Sequence, residues 1–114
     1  MEKAPINWVN MLLFSITPAL AVTMVPLYGY FYGFEMYDWI VFIALMAFCG
    51  ISITAGYHRL WSHKAYRAHP LLRIIFALGG ACALQNDVLN WASQHRRHHQ
   101  HVDDNQRDPY SAGR

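Results

Sequence analysis

The chain has 114 residues, a length that allows one domain. Hydrophobic residues make up 54% of it and charged residues only 14%, against about 25% charged in a soluble domain, which argues against an ordinary water-soluble fold. The formal net charge of +2 gives no basis for a nucleic-acid partner.

The charge deficit is local. No charged residue occurs between Lys3 and Glu35, and none between Asp38 and Arg59. A helix needs roughly 20 mostly apolar residues to cross hydrocarbon, so two transmembrane helices are expected, at about 8–31 and about 38–57. Pro18 and Pro26 fall inside the first, where neighbouring groups can satisfy the freed carbonyls. Lys3, the apolar run and Ala19-Leu20-Ala21 loosely imitate a signal peptide. Pro18 and the uncharged continuation to Phe34 count against that, and a retained membrane helix is expected. Asp38 is the expected N-cap of the second helix. The turn between the helices carries Tyr28, Tyr30, Phe31, Tyr32, Phe34, Tyr37 and Trp39, which reads as an interfacial aromatic belt or as packing around a tight turn.

Eight of the nine Lys and Arg residues lie at or after Arg59. By the positive-inside rule both ends of the hairpin are cytoplasmic. Gly50, Ser52, Thr54, Ala55 and Gly56 are small enough to let helices approach closely. Residues 65–70 read as a loop. The apolar stretch from Leu71 to Leu84 is uncharged only from Ile74 to Asn86, short for a span, and an interfacial or protein-buried helix is expected, weakened by Gly79-Gly80. A further helix is expected from Asp87 to about His101, then a polar, turn-rich tail. Cys49 and Cys82 lie in apolar segments without paired spacing and read as buried structural thiols. The expected fold class is an all-α membrane protein: a transmembrane hairpin over 1–57, then a His-rich cytoplasmic region over 58–114 with a short interfacial helix.

Five of the seven histidines fall in two runs, His58-Arg-Leu-Trp-Ser-His63 and His95-Arg-Arg-His98-His99. Neutral imidazole is the commonest side-chain ligand for transition metals. His95, His98 and His99 are spaced i, i+3, i+4 and share one face of an α-helix. On an ideal α-helix His58 and His63 would diverge by about 140°, which suits two metal ions better than one. All-imidazole donors suit zinc, copper, iron or nickel, and spacing alone does not choose among them. A zinc finger is excluded because no Cys pair precedes the histidines. His69 and His101 lie outside both runs and are assigned to the surface, with support of the ligand histidines as the competing role.

The run Thr54-Ala-Gly-Tyr-His-Arg-Leu-Trp-Ser-His63 resembles the first histidine box of the membrane-bound acyl-CoA Δ9 (stearoyl-CoA type) desaturases. Gln85-Asn-Asp-Val-Leu-Asn-Trp-Ala-Ser-Gln-His-Arg-Arg-His-His99 resembles their second box, and Asp108-Pro-Tyr-Ser-Ala-Gly-Arg114 the stretch after it. The resemblance covers about residue 51 to the end, and the preceding hairpin fits the family's first two membrane helices. It implies a non-haem di-iron enzyme that uses dioxygen and two electrons to insert a double bond into a saturated acyl chain. The electrons would come from cytochrome b5, a ferredoxin or a similar carrier. An unactivated C–H bond gives acid–base chemistry no handle, so a redox cofactor must carry the hard step.

By this resemblance His58, His63, His95, His98 and His99 are iron ligands. Gln85 and Trp91 match positions at the bend of a substrate tunnel, and Met46 and Gly50 positions near its closed end, with helix packing as the competing role. Asn86 and Asp87 are candidates for orienting imidazoles, with helix capping as the competing role. Many animal members carry Arg-Asp before the second box, where this chain has Ser93 and Gln94, which leaves open acyl carriers other than CoA. The family's third histidine box has no counterpart here. The 114 residues are therefore expected to represent an N-terminal portion without desaturase activity alone. Lipid hydroxylation by the same iron chemistry and a non-catalytic membrane fragment are the competing readings.

Overall fold

The computed structural model describes residues 6–102 and 104–111. Lys3, Asp103 and the last three residues of the run ending at Arg114 lie outside the described residues. Those described are helical with turns and contain no strand: α1 Trp8–Tyr32, α2 Met36–Ile51, a π-helix Ser52–Ser62, α3 Pro70–Cys82 and α4 Val88–Gln100. The all-α expectation therefore holds. The chain divides into two compact units, Met1–Trp39 and Ile40–Arg114.

In the first unit, Asn7 caps α1, its side chain accepting from the Asn10 N–H at 3.2 Å. The helix keeps Pro18 and Pro26 inside it. Thr17 donates to the Leu13 carbonyl at 2.7 Å and Thr23 to that of Ala19 at 2.8 Å, so hydroxyls in an apolar helix find backbone acceptors. The helix ends at Gly33, whose φ of 75° suits a residue without Cβ. α2 starts two residues before the expected cap. Asp38 stands in its first turn and accepts from the Glu35 N–H at 2.8 Å, the back-bond of a capping box, so Asp38 secures the start without being the N-cap. The aromatic residues of the turn touch one another: Phe34 sits 5.9 Å from Tyr28 and 5.8 Å from Trp39 between ring centroids.

No residue of α1 is buried. A helix that is apolar all round and exposed all round requires a lipid or protein environment. Two helical runs are long and apolar enough to cross a membrane, Trp8–Tyr32 and Met36–Ser62. The second joins α2 to the π-helix without a break, so the segment bearing His58 and His63 continues directly from the apolar run.

In the second unit the π-helix packs against α3 and α4. Tyr57, 1% exposed, is at the centre. Its hydroxyl donates to the Ala77 carbonyl at 3.3 Å, and its ring meets Trp61 and Trp91 edge-on at 6.2 and 5.8 Å. Glycines set the spacing. A Cβ on Gly56 would lie 2.7 Å from that of Phe76, one on Gly79 would meet the Ser52 side chain, and one on Gly80 the Tyr57 ring. Gly79-Gly80 thus continue α3 and form its close-approach face, where the sequence alone reads a weak point.

His69 accepts from the Leu71 N–H at 3.3 Å, with Pro70 in the first helical turn, a standard start for α3. Asp87 caps α4, its Oδ1 accepting from Leu89 at 3.2 Å and Asn90 at 3.0 Å. Of the two roles open to Asp87, capping is the one observed. Tyr66 donates to the Ala55 carbonyl at 2.6 Å and ties the loop back to the π-helix. Arg96 donates to the Trp61 carbonyl at 3.0 Å and ties α4 to its far end.

Candidate metal centre

The π-helix changes the geometry of the first histidine run. Its backbone bonds run i→i+5, and the His63 N–H donates to the His58 carbonyl at 3.0 Å. Residues five apart then stack one above the other, and the two Nε2 atoms lie 3.1 Å apart. The divergence expected on an ideal α-helix does not occur, because the segment is not one. A π-helix of 11 residues is unusual; most are single-turn bulges, often at functional sites.

α4 supplies the other half. His95 and His99, i and i+4, place their Nε2 atoms 3.1 Å apart. The halves meet ring to ring, His58 with His95 at 4.8 Å and His63 with His99 at 5.0 Å between centroids. The nitrogens of His58, His63, His95 and His99 all lie within 4.8 Å of one another. Two nitrogens bound to one first-row ion at about 2.1 Å sit roughly 3.0 Å apart at a right angle and roughly 3.4 Å apart at the tetrahedral angle. The two 3.1 Å pairs fall in that range. The donor set fits a transition-metal ion.

His95 lies deepest in the electrostatic sense. Burial and then the neighbouring imidazoles push its pKa down to about 4. At neutral pH it is uncharged and its lone pair is available. Its ring is stacked on Trp91, 4.8 Å apart and 17° from parallel. Trp91 in turn donates from Nε1 to Gln85 Oε1 at 3.2 Å. Gln85 and Trp91, paired in the sequence reading, are hydrogen-bonded to each other, and Trp91 buttresses a histidine of the cluster.

His98 is placed differently from its neighbours. Its ring centroid lies 6.2 Å from that of His95 and 5.6 Å from that of His99. Its Nδ1 is 2.9 Å from both carboxylate oxygens of Asp108, a residue 4% exposed. Asp108 is the residue that sequence reasoning missed as a functional group. The only signal was its membership in the Asp108-Pro-Tyr run. Met46 and Gly50 lie exposed on α2, and a Cβ on Gly50 would meet nothing within 4 Å. His101 is the C-cap of α4 and His69 the N-cap of α3, so both serve helix ends. Cys49 is half-buried and Cys82 exposed, and both are free, which corrects the expectation that both thiols are buried.

No family model matches the chain. Curated proteins do. A probable acyl-CoA desaturase of Schizosaccharomyces pombe is 38% identical over 107 residues, covering 93% of this chain and 21% of the relative. An acyl-CoA desaturase of Cyprinus carpio is 39% identical over 111 residues, covering 96% of this chain and 32% of the relative. An sn-2 palmitoyl-lipid 9-desaturase of Nostoc is 38% identical over 107 residues, covering 94% and 36%. The chain thus spans about a fifth to a third of the length of the relatives it matches. The likeness read from two histidine runs extends over nearly the whole chain, and the proteins it is similar to are fatty-acid desaturases, which are oxidoreductases.

Proposed function

We propose that this chain carries the first two histidine groups of a membrane-bound fatty-acyl desaturase, which inserts a double bond into a saturated acyl chain with dioxygen as oxidant. The observation that carries the reading is the convergence of four imidazoles from the π-helix and α4 at the end of an apolar run long enough to cross a membrane. The metal is iron, two ions in the whole enzyme, which supply the redox chemistry an unactivated C–H bond demands. His58, His63, His95, His98 and His99 hold it. Residues 1–57 form the membrane hairpin and residues 58–114 the His-rich region at the cytoplasmic face, where an electron carrier such as cytochrome b5 or a ferredoxin can reach it.

The protein's own share is binding and placement. Trp91, stacked on His95, and Gln85, bonded to Trp91, guide the acyl chain past the histidines, while Met46 and Gly50 on the apolar run limit how far it extends. The acyl carrier is CoA or a lipid. The relatives' names include both kinds, and Ser93-Gln94 replace the Arg-Asp of many CoA-using animal members. Five imidazoles fall short of four or more donors for each of two ions, so the 114 residues assayed alone form no double bond.

A chimera tests the reading. These 114 residues replace the matching segment of the carp acyl-CoA desaturase in a host without its own desaturase. Unsaturated acyl chains above the vector control, lost on His58→Ala, are expected. A folded, membrane-inserted chimera with no product, or with a hydroxylated one, refutes it.

A further inference from the structure

Asp108 is the most buried acid among the described residues, 4% exposed, and it reaches His98 across the turn that follows α4. An ionised carboxylate only accepts hydrogen bonds. Both its oxygens lie 2.9 Å from Nδ1 of His98, the geometry of an Nδ1–H donor facing a carboxylate. With the proton at Nδ1, Nε2 is the ring's donor position for a metal. The ring is also held from the side, where Tyr110 meets it edge-on at 5.2 Å.

The turn is built to keep the carboxylate there. Asp104 Oδ1 accepts from the N–H groups of Gln106 and Arg107 at 2.9 and 3.2 Å, and its carbonyl accepts from the Asp108 N–H at 2.9 Å. Asp108 Oδ1 accepts in addition from the Tyr110 N–H at 2.9 Å. His98 is the one histidine of the two runs outside the four-imidazole group, and among the described residues it alone of the five has a carboxylate on its ring.

We propose that Asp108 is a positioning residue: it sets the tautomer and direction of His98 so that His98 Nε2 serves as a fifth metal donor beside the four-histidine group. This rests on the metal-centre reading above. A carboxylate behind a ligating histidine raises its basicity and fixes its orientation, and removing such a partner typically lowers metal affinity about 10–100-fold.

The test uses the purified 114-residue chain in detergent, cobalt(II) as the probe metal, and 15N NMR of the histidine rings. Asp108→Asn keeps an oxygen for the Tyr110 N–H but weakens the acceptor facing Nδ1. The expected results are cobalt affinity lowered about 10–100-fold, loss of the single Nδ1–H tautomer at His98, and no further loss when Asp108→Asn is added to His98→Ala. His69→Ala alters only the cap of α3 and does not touch His98, and it leaves cobalt affinity and the tautomer near wild type. Wild-type affinity in Asp108→Asn with an unchanged tautomer overturns the proposal, as does an equal effect of His69→Ala. A wild-type chain that takes up no cobalt overturns the metal-centre reading instead. In that case the His98 tautomer in wild type and Asp108→Asn still decides whether Asp108 sets it.

Discussion

A Cβ placed on Gly80 tests how the metal centre depends on the glycine face of α3. In Gly80→Ala the new methyl would lie 2.8 Å from the Tyr57 hydroxyl oxygen, with the ring carbons nearer still. Ordinary contact begins near 3.4 Å, so even the hydroxyl must retreat by about 0.6 Å. Tyr57 is 1% exposed and its ring contacts those of Trp61 and Trp91, so the shift presses on them. Overpacking of this kind costs about 1–3 kcal/mol, and loss of the Tyr57 bond to the Ala77 carbonyl adds about 1 kcal/mol. The strain does not stay local, because Tyr57 packs on Trp91 and Trp91 stacks on His95. We therefore expect Gly80→Ala to lower both unfolding stability in detergent and cobalt(II) affinity. Gly50→Ala, where nothing lies within 4 Å, is the control: it leaves stability unchanged or raises it by up to about 1 kcal/mol from helix propensity. Gly80→Ala with wild-type unfolding and wild-type metal titration would refute the packing chain from α3 to His95.

Three further outcomes follow from the same geometry. His63→Ala removes one nitrogen of a 3.1 Å pair and, in the purified chain, is expected to lower cobalt uptake more than His69→Ala, which alters only a helix cap. Asp87→Ala strips the cap of α4 and is expected to cost about 1 kcal/mol in denaturant unfolding, with Asp87→Asn retaining most of it. In the metal-free chain, the folded state holds His95 near pKa 4, below the ordinary 6.5 of the unfolded chain. The unfolded state therefore binds the proton first as pH falls. Stability from this group is present above pH 6.5 and is lost as pH falls toward 4, and the wild-type unfolding midpoint should fall relative to that of His95→Gln across that window.

The choice between the two roles open to Asp87 came from the structure, while sequence alone was enough to place the apolar runs and the i, i+4 pairing of His95 with His99. Each of these depends on local composition or on the α-helical period. The membrane-length helices Trp8–Tyr32 and Met36–Ser62 lie close to where a count of uncharged residues puts them. The partnership of His58 with His63 was not legible, because five-residue spacing separates side chains on an α-helix and joins them on a π-helix. That backbone register is compatible with the packing of Gly56 on Phe76 and of Tyr57 against Gly80, contacts that no local pattern announces. Asp108 was equally hidden. Ten residues separate it from His98, and only the folded turn beyond α4 buries the carboxylate against that ring. Residue identity and short-range periodicity determined which groups could bind a metal. Tertiary packing decided which of them meet, since the distance between two imidazoles on different helices depends on how closely the backbones between them can approach.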